Sequence, residues 1–199
     1  MTGHYNDVDM MILRRWDEVK ALREAYDDLL DRMRDTIEPV CEKVGEWLET
    51  EGYEYSYDIK DPSIAAWKPA WGRRNDGFVT LVISEFAPLG YGRVRSETPY
   101  LWLMTGELER LKMKEATRIQ FARDLKSALG PAAPSWEHED ADEASEPLGR
   151  YCSDVTDTSR VELMTHPARL VDFLKEGFTA LFELAPAIDA TLVKYREAK

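Results

Sequence analysis

The sequence predicts an α+β domain: an antiparallel five-strand meander covered by helices, with a long kinked helix in front and a helical pair behind. Three observations carry this expectation. Residues 8–50 space their apolar side chains at a helical period. Residues 53–104 fall into short apolar or alternating runs separated by turn residues. Residues 166–199 return to the helical period, with Pro186 dividing them in two.

In the first segment, Ile12, Val19, Tyr26, Met33, Val40 and Trp47 recur every seven residues. Their companions are Leu22 and Leu29 early, then Leu30, Ile37 and Val44, so the stripe drifts by one position midway. Pro39 removes a backbone donor, and the expected break lies there, with a second helix starting near Thr36. Unbroken, the helix would run ~60 Å. A compact chain of this length is only roughly 40 Å across. The helix must therefore bend, or project and find cover elsewhere.

The strand block follows. Tyr53, Tyr55, Tyr57 and Ile59 alternate with Glu54, Ser56 and Asp58, the period of a half-buried strand. Asp61-Pro62-Ser63 turns the chain, Ile64–Trp71 forms a second strand, and Pro69 places its end at an edge. Phe78–Phe86 is the most apolar run and is expected at the sheet centre. Tyr91–Ser96 and Tyr100–Met104 complete the meander. Thr105 caps a helix over 107–129, stopped by Gly130 and Pro131. The division expected is an arm (1–50), sheet plus helix (51–130), an acidic mobile loop (131–149) and a short hairpin with C-terminal helices (150–199), one structural domain overall. The hairpin strands are 150–155 and 160–164. This order of elements is loosely similar to the small secretion-chaperone fold, and element order alone implies no activity.

Charge is laid out unevenly. Residues 1–59 carry 7 basic and 16 acidic residues, residues 60–129 carry 12 and 8, and residues 130–199 carry 7 and 14. The chain as a whole is at −12, which disfavours general coating of nucleic acid or anionic membrane. No apolar run approaches the ~20 residues that span a bilayer. Met1–Asp7 shows neither the basic nor the apolar part of a secretory leader. Cys41 and Cys152 are read as a reduced pair. The expectation is a soluble cytoplasmic protein with no membrane association.

Several groups are candidates for function. Arg73, Arg74, Arg93 and Arg95, with cations of the 107–129 helix, could hold nucleic acid or another anion, because guanidinium forks match phosphate. They could equally pair with the chain's own carboxylates. Trp67 and Trp71 could form a docking edge or the aromatic end of the core. Glu85 shares a face with Val79, Leu81 and Ile83, and a salt bridge to Arg93 suits it better than catalysis. Asp58-Ile59-Lys60 matches the short half of a metal-dependent nuclease site, a pattern that arises often by chance. The acidic stretch 137–143 lacks the glycine and spacing of a calcium loop, and His166 beside Pro167 reads as a helix start. No nucleophile elbow, phosphate loop, Cys-x-x-Cys or His-Glu-x-x-His is present.

These readings lead to a non-catalytic interaction protein (an adaptor, chaperone-like or regulatory subunit) with no cofactor and no metal. A protein partner or a homodimer partner would seat on Ile12, Trp16, Val19, Leu22 and Tyr26 and on the edge carrying Trp67 and Trp71. A nucleic-acid or anion-binding accessory protein using the four arginines is the alternative, and a nuclease-like enzyme the third.

Overall fold

The computed structural model describes residues 6–72, 79–87, 98–105, 115–136, 145–152 and 155–197. Helix α1 (Asp7–Arg14) opens the chain and α2 (Trp16–Thr50) follows. The sheet comprises β1 (Glu54–Asp58), β2 (Ser63–Trp67), β3 (Thr80–Ser84), β4 (Tyr100–Met104) and β5 (Leu148–Tyr151). Between β4 and β5 lies α3 (Glu115–Leu129), and α4 (Asp157–Met164), α5 (Pro167–Leu181) and α6 (Ala185–Glu197) close the chain.

Strand order is β1-β2-β3-β4-β5 and every pairing is antiparallel. The most apolar run therefore occupies the centre, as its composition predicts. Register aligns Ile64, Ile83 and Leu101 across three strands, and beside them Ala66, Leu81 and Leu103. All six are buried and form the floor of the core. Helix α5 lies on this floor, close enough that a Cβ on Gly177 would press against Ile83 Cδ1 at 2.8 Å. Glycine allows this close approach, and a larger residue there would make the end of the Ile83 side chain shift. The far half of α2 packs beside α5 and over β1. Trp47, Phe182 and Tyr53 stack in sequence where these elements meet, with ring centroids 5.8 and 4.2 Å apart. Helix α3 joins α6 through Phe121, whose ring meets Tyr195 edge-on at 5.3 Å.

Four expectations change. First, α2 does not break at Pro39, and no helix starts near Thr36. Ile37, Val40, Cys41 and Val44 flank Pro39 and are at most 2 % exposed. Pro39 and Asp35 are exposed, so the carbonyl that loses its intrahelical partner lies on the solvent side of the helix. Burial on one face offsets the defect on the other. Thr36 back-bonds to the Arg32 carbonyl at 3.0 Å instead of capping. The interruption in the first segment lies at Arg15, where φ is −118° and ψ 32°. Second, 160–164 lies in α4, not in a strand; Thr156 and Ser159 form a reciprocal capping box at its start. Third, the fifth strand comes from 148–151, paired to β4, while the expected strand 91–96 lies outside the described residues. Fourth, the stretch expected to be a mobile loop opens as a 3-10 segment, Gly130–Trp136, with Trp136 1 % exposed and its ring 4.3 Å from the Arg150 guanidinium. That stretch ends as β5, and 137–144 lie outside the described residues.

Both cysteines are free thiols. Among the described residues no helix is long and apolar enough to cross a membrane.

Replacing Pro39 by Ala restores a helix donor on an exposed face and should stabilise the fold by about 1–3 kcal/mol. Urea unfolding checks this; an unchanged or lowered midpoint would mean that the proline relieves a local conflict.

Candidate interaction surface

The arm begins with a satisfied helix end. The Asn6 side chain accepts from the backbone N–H groups of Val8 and Asp9 at 2.9 Å, and Asp9 accepts from the Asn6 N–H at 2.8 Å. Asp7 and Asp9 stand in the first turn and Arg14 in the last, matching the helix dipole. Past Arg15, α2 carries Lys20–Glu24 and Arg23–Asp27 pairs at 3.8 and 3.9 Å. These pairs are exposed and contribute only a few tenths of a kcal/mol each.

The first buried residue of either helix is Leu30. Before it, the apolar stripe lies in the open. Trp16 is 57 % exposed, Leu22 71 %, Tyr26 40 %, and Ile12 and Val19 36 % each. Val8, Met11, Leu13 and Leu29 are exposed as well. From Leu30 to Leu48 the stripe is sealed in the core. All five arm residues singled out from sequence are thus brought onto one projecting segment.

At the foot of the arm, α2 meets α4. A cavity of about 160 Å³ opens there, lined by Leu29, Arg32 and Met33 of α2 and by Val161 and Met164 of α4, among others. Met33 and Met164 form its buried floor, while Leu29 and Val161 are each 44 % exposed at its rim. The open stripe of the arm therefore runs directly into an apolar hollow. Sequence reasoning misses the hollow because it expects a strand at 160–164, where α4 lies.

The tryptophan edge is a correction. Trp67 and Trp71 are 7 % and 1 % exposed, and their indole N–H groups are engaged internally. Trp67 donates to Glu54 Oε2 at 2.8 Å, and Trp71 donates to Asp189 of α6. Lys68 Nζ reaches the same carboxylate at 2.7 Å and lies 5.4 Å from the Trp71 ring centroid. This segment closes the C-terminal helix against the sheet and offers no free aromatic face. Ile64–Trp71 is not one strand as expected: β2 ends at Trp67, and Pro69–Trp71 is a 3-10 turn.

Among the described residues, the other candidates form no site. Arg73, Arg74, Arg93 and Arg95 lie outside the described residues, as does the acidic stretch 137–143. Arg118, part of the same basic segment, is drawn into the body at 9 % exposure. Asp58 Oδ1 accepts from the Lys60 backbone N–H at 2.8 Å, so the acid-x-Lys match makes a turn. Glu85 ends β3 at a left-handed φ of 57°, and its carbonyl accepts from buried Arg160 Nη1 at 3.1 Å. His166 precedes α5 and its Nδ1 lies 2.8 Å from Thr165 Oγ1. Among the described residues no group of three or more His, Cys, Asp or Glu could hold a metal ion. In comparisons with known proteins, no family model, curated protein or solved structure matches the chain.

Asp189→Ala should lower stability by about 1–2 kcal/mol, because it strips a charged acceptor from a buried indole and from Lys68; urea unfolding of the variant measures it, and no loss would mean that the Trp71 N–H is re-satisfied by water. Burial, followed by the charges of Asp189 and Glu51, pushes the Tyr53 phenol up to about 12. Burial, followed by Glu38 and Glu42, does the same to the Cys41 thiol, also to about 12. Both raised values favour the protonated forms in the folded chain. Their contribution is complete below the unfolded values, ~8.5 for Cys and ~10 for Tyr, and is lost as pH rises toward about 12. Unfolding free energy should therefore fall through this window, less steeply in Tyr53→Phe above pH ~10.

Proposed function

We propose that this protein is a non-catalytic interaction module, an adaptor, chaperone-like or regulatory subunit, that holds a protein partner along its N-terminal helical arm. The single observation that supports the reading is the uncovered stripe from Val8 to Leu29, led by Trp16 and Leu22 at 57 % and 71 % exposure. Contiguous apolar area of this kind on a soluble surface marks a place where another chain sits. The partner contributes the cover that the chain's own body provides only from Leu30 onward. A helix offering residues at i, i+3, i+4 and i+7 is suited to another helix or to a groove that accepts one. Tryptophan and tyrosine on the stripe are the residue types that dominate such contacts. The sheet edge at Trp67 and Trp71 plays no part, because both rings are buried.

The reading is tested with the full chain and a Trp16→Glu/Leu22→Glu variant, each used to recover proteins from the native host after chemical cross-linking. The expected result is a specific cross-linked species, with itself or with another protein, that the variant loses while its body stays folded by circular dichroism. Recovery of the same species by both chains, or of none by either, would contradict the assignment.

A further inference from the structure

We infer that the outer edge of β1 receives an extended, lysine- or arginine-rich segment of a partner protein, which adds to the sheet as a further strand. β1 ends the strand order, and its register with β2 runs from Glu54 to Asp58 without a bulge. The Glu85 N–H donates to the Pro62 carbonyl at 3.0 Å, next to the Ser63–Ser84 pair. Antiparallel pairing alternates the direction in which successive residues point their backbone groups. Ile64 and Ala66 therefore bond toward β3, and Ser63, Ala65 and Trp67 bond toward β1. On β1 itself, Glu54, Ser56 and Asp58 turn to β2, and Tyr55 and Tyr57 turn their N–H and C=O groups outward. Among the described residues these outward groups have no backbone partner. β1 carries no proline, and a row of open backbone groups is a template for another strand.

Charge selects the occupant. Gly45 lets α2 come down on β1, since a Cβ there would collide with the Tyr55 ring. On this flank of α2 stand Glu38, Glu42, Glu46 and Glu49, all exposed. Among the described residues none of the four makes an ion pair. Their nearness to the edge registers on the tyrosines. Burial, followed by Glu49, Glu42 and Glu46, raises the Tyr55 phenol above its usual range. Burial, followed by Glu38 and Glu42, raises that of Tyr57. Residues 38–58 hold seven acidic side chains and one basic side chain, Lys43. Lys43 lies one turn from Trp47 on the opposite flank, where Trp47 stacks on Phe182.

A second copy of β1 would bring the same carboxylates against this row and is repelled. A cation-rich segment is attracted instead. Side chains alternate across a strand, so every second one of an added strand lies on the α2 side, next to the glutamates. Backbone pairing then supplies the contact, and the carboxylates supply the choice of sequence. This surface is separate from the arm, because Leu22 and Glu42 stand roughly 30 Å apart along α2.

Titrating the full chain at low salt with a blocked peptide of alternating lysine and threonine, long enough to span β1, tests this. Saturable binding is expected, with amide hydrogen exchange slowed at the Tyr55 and Tyr57 N–H groups. Glu42→Lys/Glu46→Lys should weaken binding by more than about 10-fold at unchanged circular dichroism. The Trp16→Glu/Leu22→Glu chain should bind as the parent does. N-methyl groups are placed on the lysine amides of one peptide and on the threonine amides of another, and only the set that faces β1 should abolish binding. Unaltered exchange at Tyr55 and Tyr57, or full binding by both methylated peptides, would mean charge attraction without strand pairing and would overturn the inference. Absence of binding at low salt would overturn it too, whatever the arm captures.

Discussion

The seating of the far half of α2 is the constraint from which the rest of the structure follows. Ile37, Val40, Cys41, Val44 and Leu48 are at most 2 % exposed and lock that half beside α5 and over β1. The anchorage keeps the helix running through Pro39, at a site where an isolated peptide would lose about 3 kcal/mol. It also keeps the near half helical. Fourteen residues from Trp16 to Leu29 would be marginal as a free helix, but here they extend a helix that is already nucleated and held. The core thus reaches beyond itself and presents a stiff apolar arm to solvent.

A second consequence lies at the opposite end of the same layer. Trp47 on α2 stacks with Phe182, and Phe182 with Tyr53, so the helix, the α5–α6 junction and the entry to β1 share one aromatic column. Asp189 then fastens α6 to Lys68 and Trp71. Polar groups that would be costly to bury alone are satisfied in this corner by one carboxylate. Aromatic residues attractive as a docking edge are consumed there as structure. Among the described residues, most of the large apolar side chains that the core leaves exposed lie on the arm.

The arm and the hollow at its foot also explain why charge and apolar patterning belong together. Acidic residues at the tip favour the α1 dipole. Arg32 and Arg34 at the foot lie where the stripe enters the body. Arg34 is held there by Asp31 at 2.8 Å, so part of the charge at the foot is balanced within the helix.

The sequence by itself determined the period of each element. Alternation of Tyr53, Tyr55 and Tyr57 set β1, the apolar run around Leu81 and Ile83 set the central strand, and the spacing from Ile12 to Trp47 set the helix. These signals are local, because a side chain's place on a strand or helix repeats every two or 3.6 residues whatever lies beyond. Tertiary structure decided what those residues face. Whether Pro39 ends a helix depends on packing energy from α5 and β1, many residues away. Residues 160–164 belong to α4 because a capping box outweighs a weak strand pattern. Trp67 and Trp71 are buried because Glu54 and Asp189 reach them, one of them from the far C-terminal helix. Leu22 and Val44 share one stripe in the sequence, and only the placement of the body makes the first open and the second closed. Burial is a property of which surfaces meet, and no single helix carries that information along its own length.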